Sequence, residues 1–548
     1  MPDKNPIQPI AQEYFDYLGK HLPQQCISDE FYFLPRAENA MQYMEVLDDL
    51  HPVKIKEHIH HVKTLFHKIP SEEMEILEEE IDRSLLSQSM RSFIREFDNA
   101  KVWEKDPTLY VKIPLFAVDN ILSKEGVPKD QIKTDLLSLF NRLPAFLSLA
   151  VKNIRFPSSV ALEVAEGMTL DAIRFFRKDV PAFISLNIGE DKALNAKLTK
   201  ALEGWDRFRK KIHESPRREF YPVGEEGLAD IFHISLGYSR SLDEILERAR
   251  SMFSETHKKL KVLALRIAKD KTWKQLIDEQ SSPHSSQGDV LQLYRSEVRG
   301  LRRFFSSRNI ISFPPGEEVL VLPTPSYLLS LRATASYRAP MTGDSGGVGK
   351  FFITPGLEDL GPVMTHSPYL AAHETYPGHH ILDHIRVHDS NPIRRQIESP
   401  LFYEGWACYG EQLLDEMGYV RNPRRELIGL KRQLWRSLRA ILDIRIQTGR
   451  ITPDRAAEEI EAIGFSSNRA RRQVRRFCLT PGYQSCYAIG LHEILRLREK
   501  FAPGLGINAF HDILLSGGQI PFHLVEKRLE KGGIDRKWGS REKPYEND

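Results

Sequence analysis

Apolar positions recur at helical spacing along most of the chain. Met74, Leu77, Ile81 and Leu85 form a stripe through a Glu-rich run. Ser241 and Glu244 have the spacing of a capping box, in which each side chain satisfies an amide at the start of a helix, and Ile245, Ala249 and Met252 continue the apolar face. Leu427, Leu430, Leu434, Leu438 and Ile441 mark one face of a further helix. Gly449 can end it, and Thr452 and Pro453 suit the cap and first turn of the next. Strand-like alternation is scarce. EVLVLP at 318–323 and KFFITP at 350–355 predict two strands of a small sheet. The pattern predicts a mainly α fold with a small β element near 318–355. The glycine-rich stretch from Arg338 to His366 is expected as a loop that forms a lid or substrate edge. ESPRREFYPVGEEG interrupts the helical pattern near 215–230. It suggests an N-terminal helical region at 1–225 and a second one at 226–548, closing into one unit around a deep cleft.

Composition fits an ordinary globular chain: 548 residues, 41% hydrophobic and 28% charged. Lys+Arg 77 against Asp+Glu 75 leaves no field that would draw nucleic acid or an anionic membrane. No segment approaches the roughly 20 apolar residues of a membrane span. The first residues, MPDKNPIQPIAQEYFDYLGK, lack the apolar stretch of a secretory signal. Cys26, Cys408, Cys478 and Cys486 are too few and scattered for a disulfide framework, which fits a reducing cytoplasm.

The chemistry concentrates in HETYPGHH at 373–380. Ser367 and Pro368 can start a helix through SPYLAAHET, which places His373 and Glu374 about two turns in. Zinc helices usually carry imidazoles at i and i+4 with a glutamate between them as base. Here the later histidines stand at i+6 and i+7, where a regular helix would keep both from sharing an ion with His373. Pro377-Gly378 can distort the turn and bring His379 back beside His373. His380 is then left to touch substrate or support the ligands. Glu404 in YEGWACYGE, 31 residues beyond His373, is the expected third ligand, delivered by a second helix running back past the first. Glu411, at i+7 from it, could orient a ligand or a substrate amine. Two imidazoles and one carboxylate suit Zn2+ and metal-activated water, with Glu374 accepting the proton and returning it to the leaving group.

HExxPGHH followed by EGWAxYxE resembles the DUF885 family of bacterial proteins. His373, Glu374, Pro377, Gly378, His379 and His380 fill the first motif, and Glu404, Gly405, Trp406, Ala407, Tyr409 and Glu411 the second. ASYRAPMTGDSGGVGKFFITP, from Ala335, is similar to the family's Tyr-containing loop before a Gly-x-Phe/Tyr strand, which makes Tyr337 a candidate substrate contact. PGYQSCYAIG, from Pro481, is similar to a late Pro-Gly…Tyr…Gly element at Pro481, Gly482, Tyr487 and Gly490. The resemblance covers about 225–500. It implies a fold related to helical, gluzincin-type zinc metallopeptidases, in which Tyr487 would donate a hydrogen bond to an oxyanion. GDSGGVGK stands where the family usually has a serine- and arginine-containing loop.

Two local patterns are set aside. GDSGG at 343–347 matches the nucleophile segment of trypsin-like proteases, whose chemistry needs a β-rich chain. GDSGGVGKF mimics a phosphate loop but has one residue too many between its glycines, and Phe351 where a hydroxyl should be. The arginines of NRARRQVRRF lie at helical spacing and read as a solvated face, with Arg476 available to bind a substrate carboxylate. The expectation is a cytoplasmic zinc-dependent hydrolase, foremost a peptidase acting on short peptides or peptide-like metabolites. The alternatives are a hydrolase of a non-peptide amide or ester in a biosynthetic pathway, and a binding protein without turnover.

Overall fold

Helices built on amphipathic stripes account for most of the chain. The computed structural model describes residues 5–28, 30–124, 126–280, 290–325, 335–340, 348–354 and 360–532. Ser241 and Glu244 form the expected capping box at the head of the helix Leu242–Ile267, which buries Ile245 and Ala249. That helix packs on Pro423–Gln447, whose Leu427, Leu434, Leu438 and Ile441 are buried. Gly449 follows its end with φ 72°, and the side chain of Thr452 caps Pro453–Ala462. In the Glu-rich run the helix begins at Leu77 rather than Met74 and extends to Ile94.

The small sheet has three strands in the order β1-β3-β2. β1 (Val319–Pro323) runs parallel to β3 (Gly349–Ile353), and β2 (Ala335–Arg338) runs antiparallel to β3 with Tyr337 opposite Phe351. Of the stretch expected as a loop, Arg338 ends β2, Gly349–Ile353 form the strand expected near 350–355, and 360–366 belong to a helix. β2 alternates too briefly over four residues to declare itself, and it exists because β3 offers it an edge. Residues 341–347, which include the GDSGG pattern, and 355–359 lie outside the described residues. The Tyr294 ring meets Phe351 edge-on at 5.5 Å and fixes the helix Val290–Ser307 to the sheet.

One apolar cluster runs through the chain from Ile7 to Leu529. Polar ties join distant segments across it: Gln88 donates to the Ser235 carbonyl at 2.9 Å, and buried Asp82 accepts from Arg394 Nε at 3.0 Å and from Asn391. No described helix is long and apolar enough to cross a membrane.

Candidate metal centre

The helix carrying His373 corrects the expected start at Ser367. It runs Leu360–Glu374 with Pro368 inside it, because the residues before Ser367 continue the helix and the Ser-Pro pair does not stop it. His373 and Glu374 are therefore its last two residues. A new helix, His379–Val387, begins five residues later, so the single distorted helix expected from Pro377-Gly378 is in fact two helices. Gly378, at φ −73° and ψ −130°, lies so close to the first helix that a Cβ there would sit 2.0 Å from the His373 carbonyl oxygen. Only glycine permits that approach. Its N–H donates to the Ala372 carbonyl at 2.9 Å, and the Trp406 indole donates to the Pro377 carbonyl at 2.7 Å. The break thus places His379 beside His373, with ring centroids 4.7 Å apart.

Glu404 comes from Pro400–Glu416. That helix crosses Cys486–Leu505 at Gly405 and Gly490, where a Cβ on Gly405 would stand 2.5 Å from the Gly490 carbonyl carbon. Glu404 Oε2 lies 3.4 Å from His373 Nε2 and 3.7 Å from His379 Nε2. Two ligands each about 2.1 Å from a tetrahedral ion lie about 3.4 Å apart. Oε2 is buried and has no hydrogen-bond partner, while Oε1 accepts from the Tyr483 hydroxyl at 2.8 Å. His373, His379 and Glu404 form the group of His, Cys, Asp and Glu side chains that could hold an ion among the described residues. A buried carboxylate oxygen left open between two imidazoles is what a divalent cation would complete.

Charged neighbours hold the trio. Glu411 Oε1 lies 2.9 Å from His373 Nδ1, an ion-pair distance. Arg432 clasps Glu411 through two bonds of 2.6 and 2.7 Å, and Arg436 through a bond of 2.9 Å and a second, shorter one. Burial works against a charged Glu411, yet the two guanidiniums hold it well below the usual carboxylate range. Burial also disfavours charge on His373, but Glu404 and Glu411 outweigh it and push His373 up to about 9. Burial would raise Glu404, and the two imidazoles bring it down to about 2. Burial, followed by the charge of His373, lowers His379 to about 3. Tyr403 stacks on the His379 ring at 3.9 Å and donates to Asp383 at 2.8 Å. Glu374 accepts no hydrogen bond among the described residues, and burial pushes it up to about 7.

A bacterial family of unknown function, DUF885, matches residues 38–529 of the sequence. The chain belongs to that family. No curated protein matches. Two solved structures share the fold. A protein of Shewanella oneidensis, provisionally called a lipoprotein and of unknown function, is 19% identical with a TM-score of 0.76, covering 96% of this chain and 99% of its own. A protein of Colwellia psychrerythraea, likewise provisionally called a lipoprotein, is 16% identical with a TM-score of 0.80, covering 96% and 98%.

In this DUF885 member the other expected site residues fall in different places. His380 stands outside the trio, buried, 3.2 Å from Glu317 Oε2 and 3.4 Å from the Tyr337 hydroxyl. Tyr376 donates to the same Glu317 oxygen at 2.6 Å, and Arg302 donates to its other oxygen. Tyr487 stands near the trio, its ring parallel to that of His373 with centroids 6.4 Å apart, and Arg439 lies 3.6 Å over its face. Arg476 acts electrostatically on Tyr487, Tyr483 and Glu404. The unforeseen members are Tyr403, Tyr483, Glu317 and one polar stripe of Pro423–Gln447. Its Arg432, Arg436, Arg439 and Asp443 recur at i, i+4, i+7 and i+11. Asp443 accepts the N–H groups of Gly482 and Ser485, each at 3.1 Å, and so fixes the turn bearing Tyr483 and Tyr487. The spacing of that stripe was visible in the sequence, although its partners were not.

Proposed function

We propose that this DUF885 protein is a zinc-dependent hydrolase, and specifically a peptidase acting on short peptides or peptide-like metabolites. The reading rests on one observation: two imidazole nitrogens and one unpartnered carboxylate oxygen lie at the mutual spacing of ligands on a single tetrahedral ion. Zinc held by His373, His379 and Glu404 would supply a Lewis acid that polarises a carbonyl and activates water. The chain's own groups do the rest. Glu374, raised towards neutrality and free of partners among the described residues, takes a proton and gives it to the leaving amine. Tyr487, its ring beneath Arg439, donates its phenol hydrogen to the developing oxyanion. Glu411 orients His373 from behind, and Tyr483 turns Glu404 so that Oε2 faces the imidazoles.

This reading places the protein among helical, gluzincin-type zinc peptidases with a cleft at the trio. It keeps the cytoplasmic placement, for which four scattered cysteines without a disulfide framework are the support. Incubation with a mixed-sequence peptide library tests it. Zinc-loaded protein should cleave peptides, and both a chelator and Glu374→Gln should abolish cleavage. Failure of the zinc-loaded protein to hydrolyse any peptide would overturn the peptidase reading.

A further inference from the structure

Arginines around the metal centre are matched by carboxylates. Arg432 and Arg436 hold Glu411, Arg386 pairs with Asp383 and Glu398, and Arg302 with Glu317. Two near Tyr487 are not. Arg439 is half-buried, and its guanidinium's hydrogen bonds and ring contacts are to neutral groups: Nε donates to Gln484 Oε1 at 3.1 Å, Nη2 donates to the same oxygen, and the carbon lies over the rings of Tyr487 and Trp435; Asp443, on whose carboxyl its charge acts, is bonded instead to Gly482 and Ser485. Nη1 has no partner among the described residues. Arg476 is exposed, and its side chain makes no hydrogen bond or ion pair among the described residues. The carboxylates whose charge acts on it are Glu30 and Glu404. Of these, Glu30 is already paired with Lys112 at 3.1 Å and Glu404 belongs to the trio.

A half-buried guanidinium held in place by an amide oxygen and two aromatic faces has lost hydration without a carboxylate bonded to it. Its planar fork suits a carboxylate, which it can bind through two parallel hydrogen bonds. Its place along the site sets the reach. Arg439 lies 3.6 Å from the Tyr487 ring, and that ring lies 6.4 Å from the His373 ring. An extended peptide advances about 3.3 to 3.6 Å per residue, so a carboxylate at Arg439 stands one or two residues from a carbonyl at the trio.

We propose that Arg439 and Arg476 receive the free C-terminal carboxylate of a short peptide, which makes the protein an exopeptidase working from the C-terminal end. The proposal takes its scissile bond from the hydrolase reading, but the anion receptor can be measured without turnover. A mixed library of N-acetylated di- and tripeptides is prepared both as free acids and as C-terminal amides. Retention on zinc-loaded Glu374→Gln protein is then read by mass spectrometry. Free acids should be retained at least about tenfold better than amides, the scale of one charge-assisted bond pair. Arg439→Gln and Arg476→Gln should each reduce that preference and leave the amides unchanged. Because Arg476 is exposed, its variant carries the test if Arg439→Gln unfolds. Equal retention of acids and amides, retention of neither, or a preference that survives both substitutions would overturn the receptor. Cleavage of both libraries at equal rates would remove the receptor and leave the hydrolase. An arginine-dependent preference without any cleavage by the unsubstituted protein would do the reverse.

Discussion

Glu404 divides its two oxygens between a tyrosine and a pair of imidazoles, and that division decides the site. Tyr483 holds Oε1 and leaves Oε2 facing His373 and His379. Tyr483→Phe should therefore keep the fold and lower zinc affinity about 10- to 100-fold, the usual effect of losing a partner behind a ligand. Competition with a chelating dye measures it, and unchanged affinity would contradict this role. Glu411 sits deeper, between two guanidiniums. Glu411→Gln should destabilise the protein by about 3 kcal/mol or more, because it leaves buried positive charge uncompensated. A denaturant midpoint equal to that of the parent would count against it. His373, Glu374, His379 and Glu404 were legible because motif residues advertise their chemistry. Tyr483 was not: in PGYQSCY its neighbour Tyr487 matched the family pattern, and nothing local shows that Tyr483 reaches Glu404 as well.

The elements position these residues through two backbone contacts. Gly378 lets the second histidine helix start against the end of the first, and Gly405 and Gly490 let the Glu404 helix cross its neighbour at backbone distance. A Cβ on Gly405 has no flexible side chain to displace. Gly405→Ala should force the helices apart, cost about 3 kcal/mol of stability and reduce zinc content, read by thermal unfolding and metal analysis on the same sample. Full stability with full zinc would show that the crossing does not place Glu404. The long helices were readable from period and caps, including the box at Ser241. The break at HETYPGHH was readable only as a distortion. Residues that are themselves helical on both sides do not reveal that the chain stops and restarts between them. β2 was missed because its order comes from pairing with β3 and not from its own four residues.

At the scale of the whole molecule, buried carboxyls make stability depend on pH. Burial pushes Asp48 and Asp443 up to about 7, against donated hydrogen bonds that act in the opposite direction. Their unfolded value is about 3.9. A folded pKa above the unfolded one means that the native state holds more protons between those values. The contribution is therefore complete below about pH 4 and is lost as pH rises towards 7. Urea midpoints should fall over that range by an amount worth a few kcal/mol, and Asp48→Asn should flatten the slope. A slope unchanged in that variant would remove Asp48 as the cause. Charge balance and the lack of long apolar runs were readable at this scale from composition, but the partners of the buried acids were not, because they sit on other elements: Gln24 and Gln25 for Asp48, Gly482 and Ser485 for Asp443. Zinc content of the purified protein bears on the whole account. It should be about one ion per chain, near zero in His373→Ala and Glu404→Ala, and undiminished in His380→Asn; zinc that stays in His373→Ala, or leaves with His380→Asn alone, would contradict it.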